Sequence, residues 1–466
     1  MRDGRMMPDS KGLLATVPGA VRAWFEMIEH FGTGKLTMAE LLEPAICYGD
    51  EGFPVGITCA AEWMTLQSRL RKIHGGRVFL NQDGLTPFPG DVWRNASQAA
   101  LLKRIASEGP CAVYEGSVAR NIVGAVKSAG GVMTLDDLQF HMKSADSTIL
   151  PAISTTYREV TVHTTPPPSQ GAVLLEALNI MEGFDVAGLQ SKPSEFHHLM
   201  LEAFRLALAD GLLDISDAQF ASIGRMICKE HAKKKRSLIS HERAMKSCAP
   251  EGLPRLNQAG TLVAAAVDTQ GNACCLISST GTAFGCAVVP EHGFPIQGRG
   301  MGFNTVHGHP NCVAPRKKPY HTLMPVLVTD TRSGKLLAVM GTQGAAMQPL
   351  AILQVLLSMI DHCLNPQDAV TKRRMKIGSI TDTHPDDALT IEEDMDAANI
   401  EGLKEKGHRV KHILNGWKRS YMGQVEVVAK EELWSGETKQ SEEQQATAEV
   451  LWCGSDPRCG GGAVAY

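Results

Sequence analysis

A single polar residue heads an apolar run in the second half of the chain. The segment QAGTLVAAAVDTQGNACCLISSTGTAFG covers residues 258–285, and Thr261 begins its first apolar stretch. A threonine hydroxyl within a chain is a weak nucleophile and needs a base to take its proton. If the peptide bond before Thr261 were cleaved, its own α-amine, with a reference pKa of about 7.7–8.0, would be a base suited to neutral pH. The hydroxyl could then attack an amide carbonyl and form an acyl-threonine intermediate.

The residue before Thr261 fits the same chemistry. Gly260 leaves its carbonyl sterically open, so the Thr261 hydroxyl could make the cut itself by attacking that carbonyl. Threonine is also a good strand former, so its position alone leaves an ordinary structural role open.

Two short apolar runs, TLVAAAV and ACCLIS, must position this threonine. They flank a turn that contains Asp268, Gly271 and Asn272, residues that favour positive φ or local capping. The pattern predicts a buried β-hairpin whose first residue is Thr261. Further strands are predicted in LMPVLVTD, KLLAVMG, SYMGQVEVVAK and ELWSGE, and a helix in QPLAILQVLLSMIDHCL.

The first half of the chain is predicted to be helix-rich. Residues 17–130 show helical spacing, STTYREVTVHTT reads as a strand pair, and two long helices follow, the first starting near Gly171. Residues 229–259 are polar, and KKKR (233–236) within them is predicted to be a solvated loop. The chain thus divides into residues 1–260, ending in a flexible linker at about 229–260, and the strand-rich residues 261–466. Two separate domains, or one precursor cut into two chains that share a sandwich, both fit this order.

Composition excludes several classes of function. The 466 residues are 43% hydrophobic with a formal net charge of −4, so no concentrated basic surface for nucleic acid is expected. No apolar stretch is long enough for a membrane span, and the N-terminus lacks the apolar region of a signal peptide, which favours a cytoplasmic location. The twelve cysteines form no CxxC pair, and the alternating His307 and His309 lack a third ligand. No metal and no cofactor are therefore predicted.

Seven segments carry a resemblance to a known family. They are VPGAVRAW (17–24), LLEPAICYGDEGFPV (41–55), VYEGSVARNIV (113–123), GGVMTLDDLQFH (130–141), TPPPSQGAVLLEALNIMEGFDV (165–186), EAFRLALAD (202–210) and GSDPR (454–458). In this order the chain resembles the gamma-glutamyltranspeptidase family of N-terminal nucleophile hydrolases. The resemblance implies an α+β fold, the αββα four-layer sandwich. It also implies cleavage before the threonine that lies seven residues ahead of Asp268, which is Thr261. Residues 1–260 and 261–466 would then be a large and a small subunit, forming a heterodimer of the chain's own cleavage products.

The resemblance also assigns roles to residues around the nucleophile. Ser279 stands where a hydroxyl supports the nucleophile, and Gly344 and Ala345 stand where paired backbone amides form an oxyanion hole. Tyr320, His321 and Thr322 occupy the loop that holds the substrate carboxylate.

The chain departs from the transpeptidase pattern at several places. The N-terminal part of the family pattern, with a Gly-rich strand and a substrate-gripping arginine, has no counterpart, which predicts a truncated or degraded relative. TLV replaces Thr-Thr-His, and IQGRGMGF (296–303) resembles the branch of gamma-glutamyltranspeptidase-like amidohydrolases. Gly302 stands where transpeptidases carry an acid for the substrate α-ammonium. Arg299 instead offers a forked cation suited to a carboxylate, and Arg374 in TKRRMK takes the place of a family arginine.

Two hypotheses of function follow. The first is an amide hydrolase or acyltransferase that acts on a small-molecule amide, either a gamma-glutamyl compound such as glutathione or a related amido acid such as oxamate. The second is a truncated, non-catalytic relative kept as a fold or binding protein.

Overall fold

The computed structural model describes residue 7 and residues 11–144, 149–245, 260–378, 388–435 and 450–465. The chain splits into two compact units. The sandwich unit contains the described residues of Pro151–Ser278 and Gly302–Tyr466, and the helical unit contains those of Met7–Leu150 and Ser279–Met301.

Most of the described α-helices precede residue 260. In chain order they are α1 (Ala20–Phe31), α2 (Met38–Glu51), α3 (Ile57–Thr65), α4 (Gln67–Leu70), α5 (Ala96–Glu108), α6 (Cys111–Tyr114), α7 (Gly116–Ser128), α8 (Leu135–Lys143), α9 (Gly171–Met181), α10 (Pro193–Asp214), α11 (Lys229–Arg236), α12 (Gln348–Ile360), α13 (Pro366–Thr371) and α14 (Ala397–Glu405). Among these helices, none is both long and apolar enough to cross a membrane.

The strands are short, as is usual in a mixed fold. They are β1 (Phe53–Pro54), β2 (Val92–Trp93), β3 (Ile153–Tyr157), β4 (Val160–Thr164), β5 (Thr261–Val267), β6 (Ala273–Ser279), β7 (Ala287–Val289), β8 (Phe294–Ile296), β9 (Val326–Asp330), β10 (Leu336–Gln343), β11 (Met375–Ile377), β12 (Leu389–Glu392), β13 (Val410–Leu414), β14 (Gln424–Lys430) and β15 (Leu451–Gly454).

A six-stranded antiparallel sheet forms the centre of the sandwich unit. Its strand order is β15-β14-β10-β9-β4-β3. β3 and β4 precede residue 260 and the other four strands follow it, so the sheet draws on both parts of the chain. Helices α9 and α12 pack on this sheet, and strand β5 packs on β10 and β14. Because Leu337–Thr342 in β10 are buried without alternation, α12 and the β5–β6 hairpin cover opposite faces.

The predicted β5–β6 hairpin is confirmed, but the prediction that it is buried is wrong. Exposure alternates along both strands, and the outward Leu262 and Leu276 are 58% and 37% exposed. The inward face packs closely, because a Cβ added to Gly341 in β10 would lie 2.8 Å from both Val263 Cγ1 and Cys275 Sγ. Glycine at 341 thus sets how closely the threonine-bearing hairpin approaches the central sheet.

Replacing Gly341 with alanine tests this close approach. The added methyl group must displace two packed side chains, so we expect a loss of about 1–3 kcal/mol in the free energy of unfolding. Urea denaturation measures it. The matched control is Gly124→Ala in α7, where an added Cβ meets nothing within 4 Å, and where alanine is expected to stabilise the helix by up to about 1 kcal/mol. Equal effects at the two positions would contradict the proposed role of Gly341.

The helical unit holds α1 to α8 together with β1, β2, β7 and β8. Its apolar centre includes an aromatic group in which the ring of Phe284 lies 5.4 Å from Trp63 and 4.7 Å from Phe79, centroid to centroid. Arg69 donates to the carbonyl of Ala283 at 2.8 Å and to Thr282 Oγ1 at 2.9 Å. These bonds fix residues 279–301 onto the helices of the first part of the chain.

Most elements predicted from the sequence are confirmed, including the β3–β4 pair and helices α9, α10 and α12. The loop predicted over KKKR is wrong, because these residues end helix α11. That helix buries Ala232, and Lys235 Nζ donates to Asp210 Oδ1 at 2.7 Å. Residues 246–259 of the predicted linker lie outside the described residues. The strand predicted in ELWSGE is also wrong, because Glu431–Leu433 form a 3₁₀-helix.

Candidate active site

Thr261 is the first residue of β5 and is half-buried. Val263, two residues later, is in the hairpin face that packs against Gly341 of β10. Three residues beyond Gly341 the strand has ended and the chain reaches Gly344. Thr261 is therefore two residues before, and Gly344 three residues after, the contact between Val263 and Gly341 that joins the hairpin to the central sheet.

The turn from β10 into α12 has an unusual backbone. Gly344 has a φ of +133° and Ala345 a φ of +52°, a value that non-glycine residues seldom adopt. Within the described part of the chain, neither backbone N–H donates to an acceptor. The turn lies just before the N-terminus of the 13-residue helix α12, where the helix dipole is positive. Such a turn can stabilise an oxyanion.

One buried side chain joins this turn to the predicted carboxylate-binding loop. Gln170 is fully buried, and its Nε2 donates to the carbonyl of Thr322 at 3.0 Å and to the carbonyl of Ala345 at 2.9 Å. Its Oε1 accepts from the hydroxyl of Tyr320 at 2.9 Å. The structure thus brings Tyr320, Thr322 and Ala345 together around a residue to which the sequence analysis gave no role.

The loop itself is held mainly through its backbone. His321 donates its backbone N–H to Pro168 O at 2.9 Å, and its ring Nδ1 accepts from the N–H of Leu323 at 3.2 Å. Thr322 is buried, while His321 is half-buried. Burial raises the pKa of Tyr320, so its hydroxyl stays protonated as the donor to Gln170. That hydroxyl is therefore held by Gln170, and a contact between Tyr320 and the substrate carboxylate stays a prediction.

Gly302 packs against the same loop. A Cβ added there would lie 2.0 Å from the carbonyl oxygen of Tyr320, so an acid side chain does not fit on this backbone. Asn311 holds the contact by donating to Gly302 O at 2.6 Å and by accepting from the Tyr320 N–H at 3.1 Å. The backbone at position 302 thus leaves no room for an acidic side chain that could bind a substrate ammonium group.

A buried ionic network, formed by Arg374, Glu392, Asp456 and Arg458, supports the turn from the other side. Asp456 accepts from Arg374, and Arg458 Nε donates to Glu392 Oε1 at 2.6 Å. Arg374 also donates to Gly423 O at 2.8 Å. The Cα of Gly423 lies 3.3 Å from a Cβ built on Gly344. The GSDPR segment therefore contributes to the packing behind the turn.

Two predicted site residues belong to the helical unit. Ser279 ends β6, and its Oγ accepts from the N–H of Gly281 at 3.2 Å. Arg299 begins a 3₁₀-helix that ends at Gly302, and burial lowers the pKa of its guanidinium to about 10. Their roles beside Thr261 stay predictions.

Two groups of side chains have the spacing of metal ligands in the described residues: His198, Glu202 and His408, and Glu176, Asp210 and His231. Both carboxylate oxygens of Glu202 are occupied, one by Arg205 at 2.9 Å and one by the N–H of Met245 at 2.6 Å. In the second group, burial and then the Asp210 charge raise the pKa of Glu176 to about 10, which keeps this carboxyl neutral. Asp210 in this group is held by His231 Nε2 at 2.7 Å and by Lys235 Nζ at 2.7 Å, so partners within the chain occupy potential ligand atoms in both groups.

Comparison with known proteins decides the family. The sequence pattern of the family described as gamma-glutamyltranspeptidase matches residues 2–466. This chain belongs to that family. The predicted resemblance is thereby confirmed. The chain is an enzyme of the hydrolase and transferase class that this family represents.

The relatives of this chain include proteins named as hydrolases and proteins named as acylases. The glutathione hydrolase-like YwrD proenzyme of Bacillus subtilis (strain 168) is 31% identical over 96% of this chain and 80% of its own length. The acylase ACY 1 proenzyme of Pseudomonas sp. (strain SE83) is 29% identical over 88% of this chain and 71% of its own length. Both names contain the word proenzyme.

A solved structure gives the same fold. The cephalosporin acylase from Bacillus halodurans matches 98% of this chain and 79% of its own chain, with a TM-score of 0.83 and 27% identity. The predicted α+β fold of the N-terminal nucleophile hydrolase type is thus confirmed for this family member.

Two buried glutamines were missed by the sequence analysis. Gln170 lies inside the TPPPSQG segment that carries part of the family resemblance, but no sequence signal relates it to its distant partners. Gln348 begins α12 and is fully buried, and neither atom of its side-chain amide has a hydrogen-bond partner among the described residues. Buried unsatisfied amides are rare in folded proteins, so Gln348 is a further polar group beside the turn.

Proposed function

We propose that this chain is an amide hydrolase or acyltransferase that uses Thr261 as an N-terminal nucleophile. Cleavage between Gly260 and Thr261 would free the α-amine, which then takes the proton of the Thr261 hydroxyl as it attacks an amide carbonyl. The acyl group would pass to the threonine oxygen, the amine of the substrate would leave with a proton, and water or an amine would release the acyl group.

The observation that carries this proposal is the Gly344–Ala345 turn. It offers two successive backbone N–H groups at the positive end of α12, next to the sheet on which the Thr261 hairpin packs. A tetrahedral intermediate develops negative charge on its oxygen, and preorganised N–H donors stabilise that charge by a few kcal/mol each.

The acyl donor is proposed to be a small amide that carries a carboxylate. Gamma-glutamyl compounds such as glutathione, and amido acids such as oxamate, meet this requirement. Gly302 leaves no room for an acid that would pair with an α-ammonium, and Arg299 is proposed as the cation for a carboxylate because a guanidinium suits that partner. This combination favours donors that lack the ammonium group.

The mass of the intact protein tests the processing step. We expect two fragments that meet between Gly260 and Thr261, and N-terminal sequencing of the smaller one should begin at Thr261. A single uncut chain that also fails to turn over any amide would favour the alternative, a non-catalytic relative. An uncut chain that does turn over amides would disprove the mechanism.

A pair of matched substrates tests the proposed specificity. Gamma-glutamyl p-nitroanilide and glutaryl p-nitroanilide differ only in the α-ammonium group. Because a side chain at 302 would collide with Tyr320 O, we expect kcat/KM for the glutaryl compound to equal or exceed that for the gamma-glutamyl compound. Acetyl p-nitroanilide, which lacks the carboxylate, is the control and should be the poorest of the three. A preference of more than tenfold for the gamma-glutamyl compound would contradict the proposal.

A further inference from the structure

We propose that Gln170 is a positioning residue that fixes the backbone of the oxyanion turn and joins it to the substrate loop. The inference rests on the proposed function, since it concerns the same turn. Its basis is the set of three hydrogen bonds from one buried amide, two donated to the carbonyls of Thr322 and Ala345 and one accepted from Tyr320.

The two peptide planes around Ala345 are held from different directions. Gly344 O accepts from the N–H of Met347 at 3.0 Å, which orients the plane that also carries the Ala345 N–H. Ala345 O accepts from Gln170 Nε2 at 2.9 Å and from the N–H of Gln348, and these two bonds orient the next plane. A peptide unit is planar and trans, so its N–H points opposite to its carbonyl. Holding the carbonyl therefore also fixes the direction of the N–H in the same plane. Both torsions of Ala345 are thereby restrained.

This restraint matters because the backbone of Ala345 is strained. A non-glycine residue with a φ of +52° persists only when its surroundings over-determine it. That second plane carries the Ala346 N–H, and its carbonyl keeps the bond from the Gln348 N–H. Loss of the Gln170 bond therefore relaxes the strained torsions of Ala345 and, through them, the aim of the adjoining Ala345 N–H. Misdirected donors stabilise the oxyanion less, which lowers kcat more than it changes substrate binding.

The position of Gln170 itself is rigid. It is fully buried, it directly precedes α9, and its backbone N–H donates to His321 O at 3.1 Å. Both ends of the residue therefore contact the segment from Tyr320 to Thr322. Gln170 thus links the position of this loop to that of the turn.

The test compares Gln170→Met with Gln354→Met. Gln354 is also buried and makes three hydrogen bonds, donating to Leu350 O and Met375 O and accepting from the Met375 N–H. Both variants should lose thermal stability. Only Gln170→Met should also lose kcat, by about 10- to 100-fold, which is less than the loss for removing an oxyanion donor outright. Its KM should change by less than about threefold. Measurements use protein cleaved to the same extent as the wild type.

Gln170→Glu gives a second, independent measurement. A carboxylate can still accept from Tyr320 but cannot donate to either carbonyl, whereas the protonated acid can donate one bond. The ratio of its kcat to that of the wild type should therefore rise as the pH falls, while the ratio for Gln170→Met stays flat. A flat ratio for Gln170→Glu, or a wild-type kcat for Gln170→Met, would overturn the inference. An inactive wild-type protein would instead overturn the proposed function, and the positioning role with it.

Discussion

Thr261→Ala is expected to leave the chain as a single uncut polypeptide with no turnover of amide substrates. The substitution removes the hydroxyl that makes the proposed cut and also the nucleophile of the reaction. Loss of a nucleophile that acts together with its base lowers kcat by about 10⁴-fold or more in comparable enzymes. Intact mass and the release of p-nitroaniline measure the two effects on the same preparation.

Two further variants make the Thr261 result specific. Thr261→Ser keeps a hydroxyl and an α-amine, so we expect cleavage and turnover to persist at reduced rates. Thr161→Ala removes the hydroxyl of another half-buried threonine in a strand, which bonds to Thr331 Oγ1 at 3.0 Å. This variant should be cleaved and active like the wild type. Normal cleavage of Thr261→Ala would rule out the proposed nucleophile.

Asp456→Ala is expected to cost the largest amount of stability. The substitution leaves Arg374 and Arg458, which are both buried, without one of their anionic partners. Breaking a buried pair by removing one member costs about 3–5 kcal/mol in the free energy of unfolding. Asp50→Ala, which removes the exposed partner of Lys103 at 2.7 Å, is the control and should cost no more than about 1 kcal/mol. Equal losses in urea denaturation would contradict the role of the network.

The same network predicts how stability depends on pH. Burial alone would raise the pKa of Asp456, but the charges of Arg374 and Arg458 outweigh it and hold the pKa below its usual value. The pKa of Glu392 is lowered in the same way, because its burial is outweighed by its bonds to Arg458 and Arg419. The unfolded chain then binds protons more readily, so the contribution is complete above the ordinary carboxyl pKa of about 4 and is lost as the pH falls below it. Asp456→Ala should flatten this acid-induced loss of stability.

The sequence predicted the features of the site that depend on local pattern. The turn residues around Asp268 and the apolar runs beside them gave the hairpin, and the order of the quoted segments gave the family and its fold. The exposed outer face of the hairpin was missed because continuous apolar runs do not distinguish one buried face from two. Helix α11 was missed because its lysines suggested a solvated loop, whereas its bonds to Asp210 depend on tertiary contacts.

The features that could not be predicted join residues far apart in the chain. Gln170 lies 150 residues from Tyr320 and 175 from Ala345, and no periodicity or turn signal relates them. The clash that excludes a side chain at Gly302 is likewise visible only once the loop at Tyr320 is placed. The sequence therefore named candidate residues, and the fold was needed to show which of them act through others.

The β4–β9 pairing has a consequence for the chain after a cut at Gly260. Five consecutive residues of β4, from Val160 to Thr164, pair with Asp330 to Val326 of β9, so strands on either side of the cut are neighbours in the interior of one sheet. Breaking one covalent bond would leave this seam intact. The two pieces would stay interlocked, and only conditions that melt the entire unit would part them.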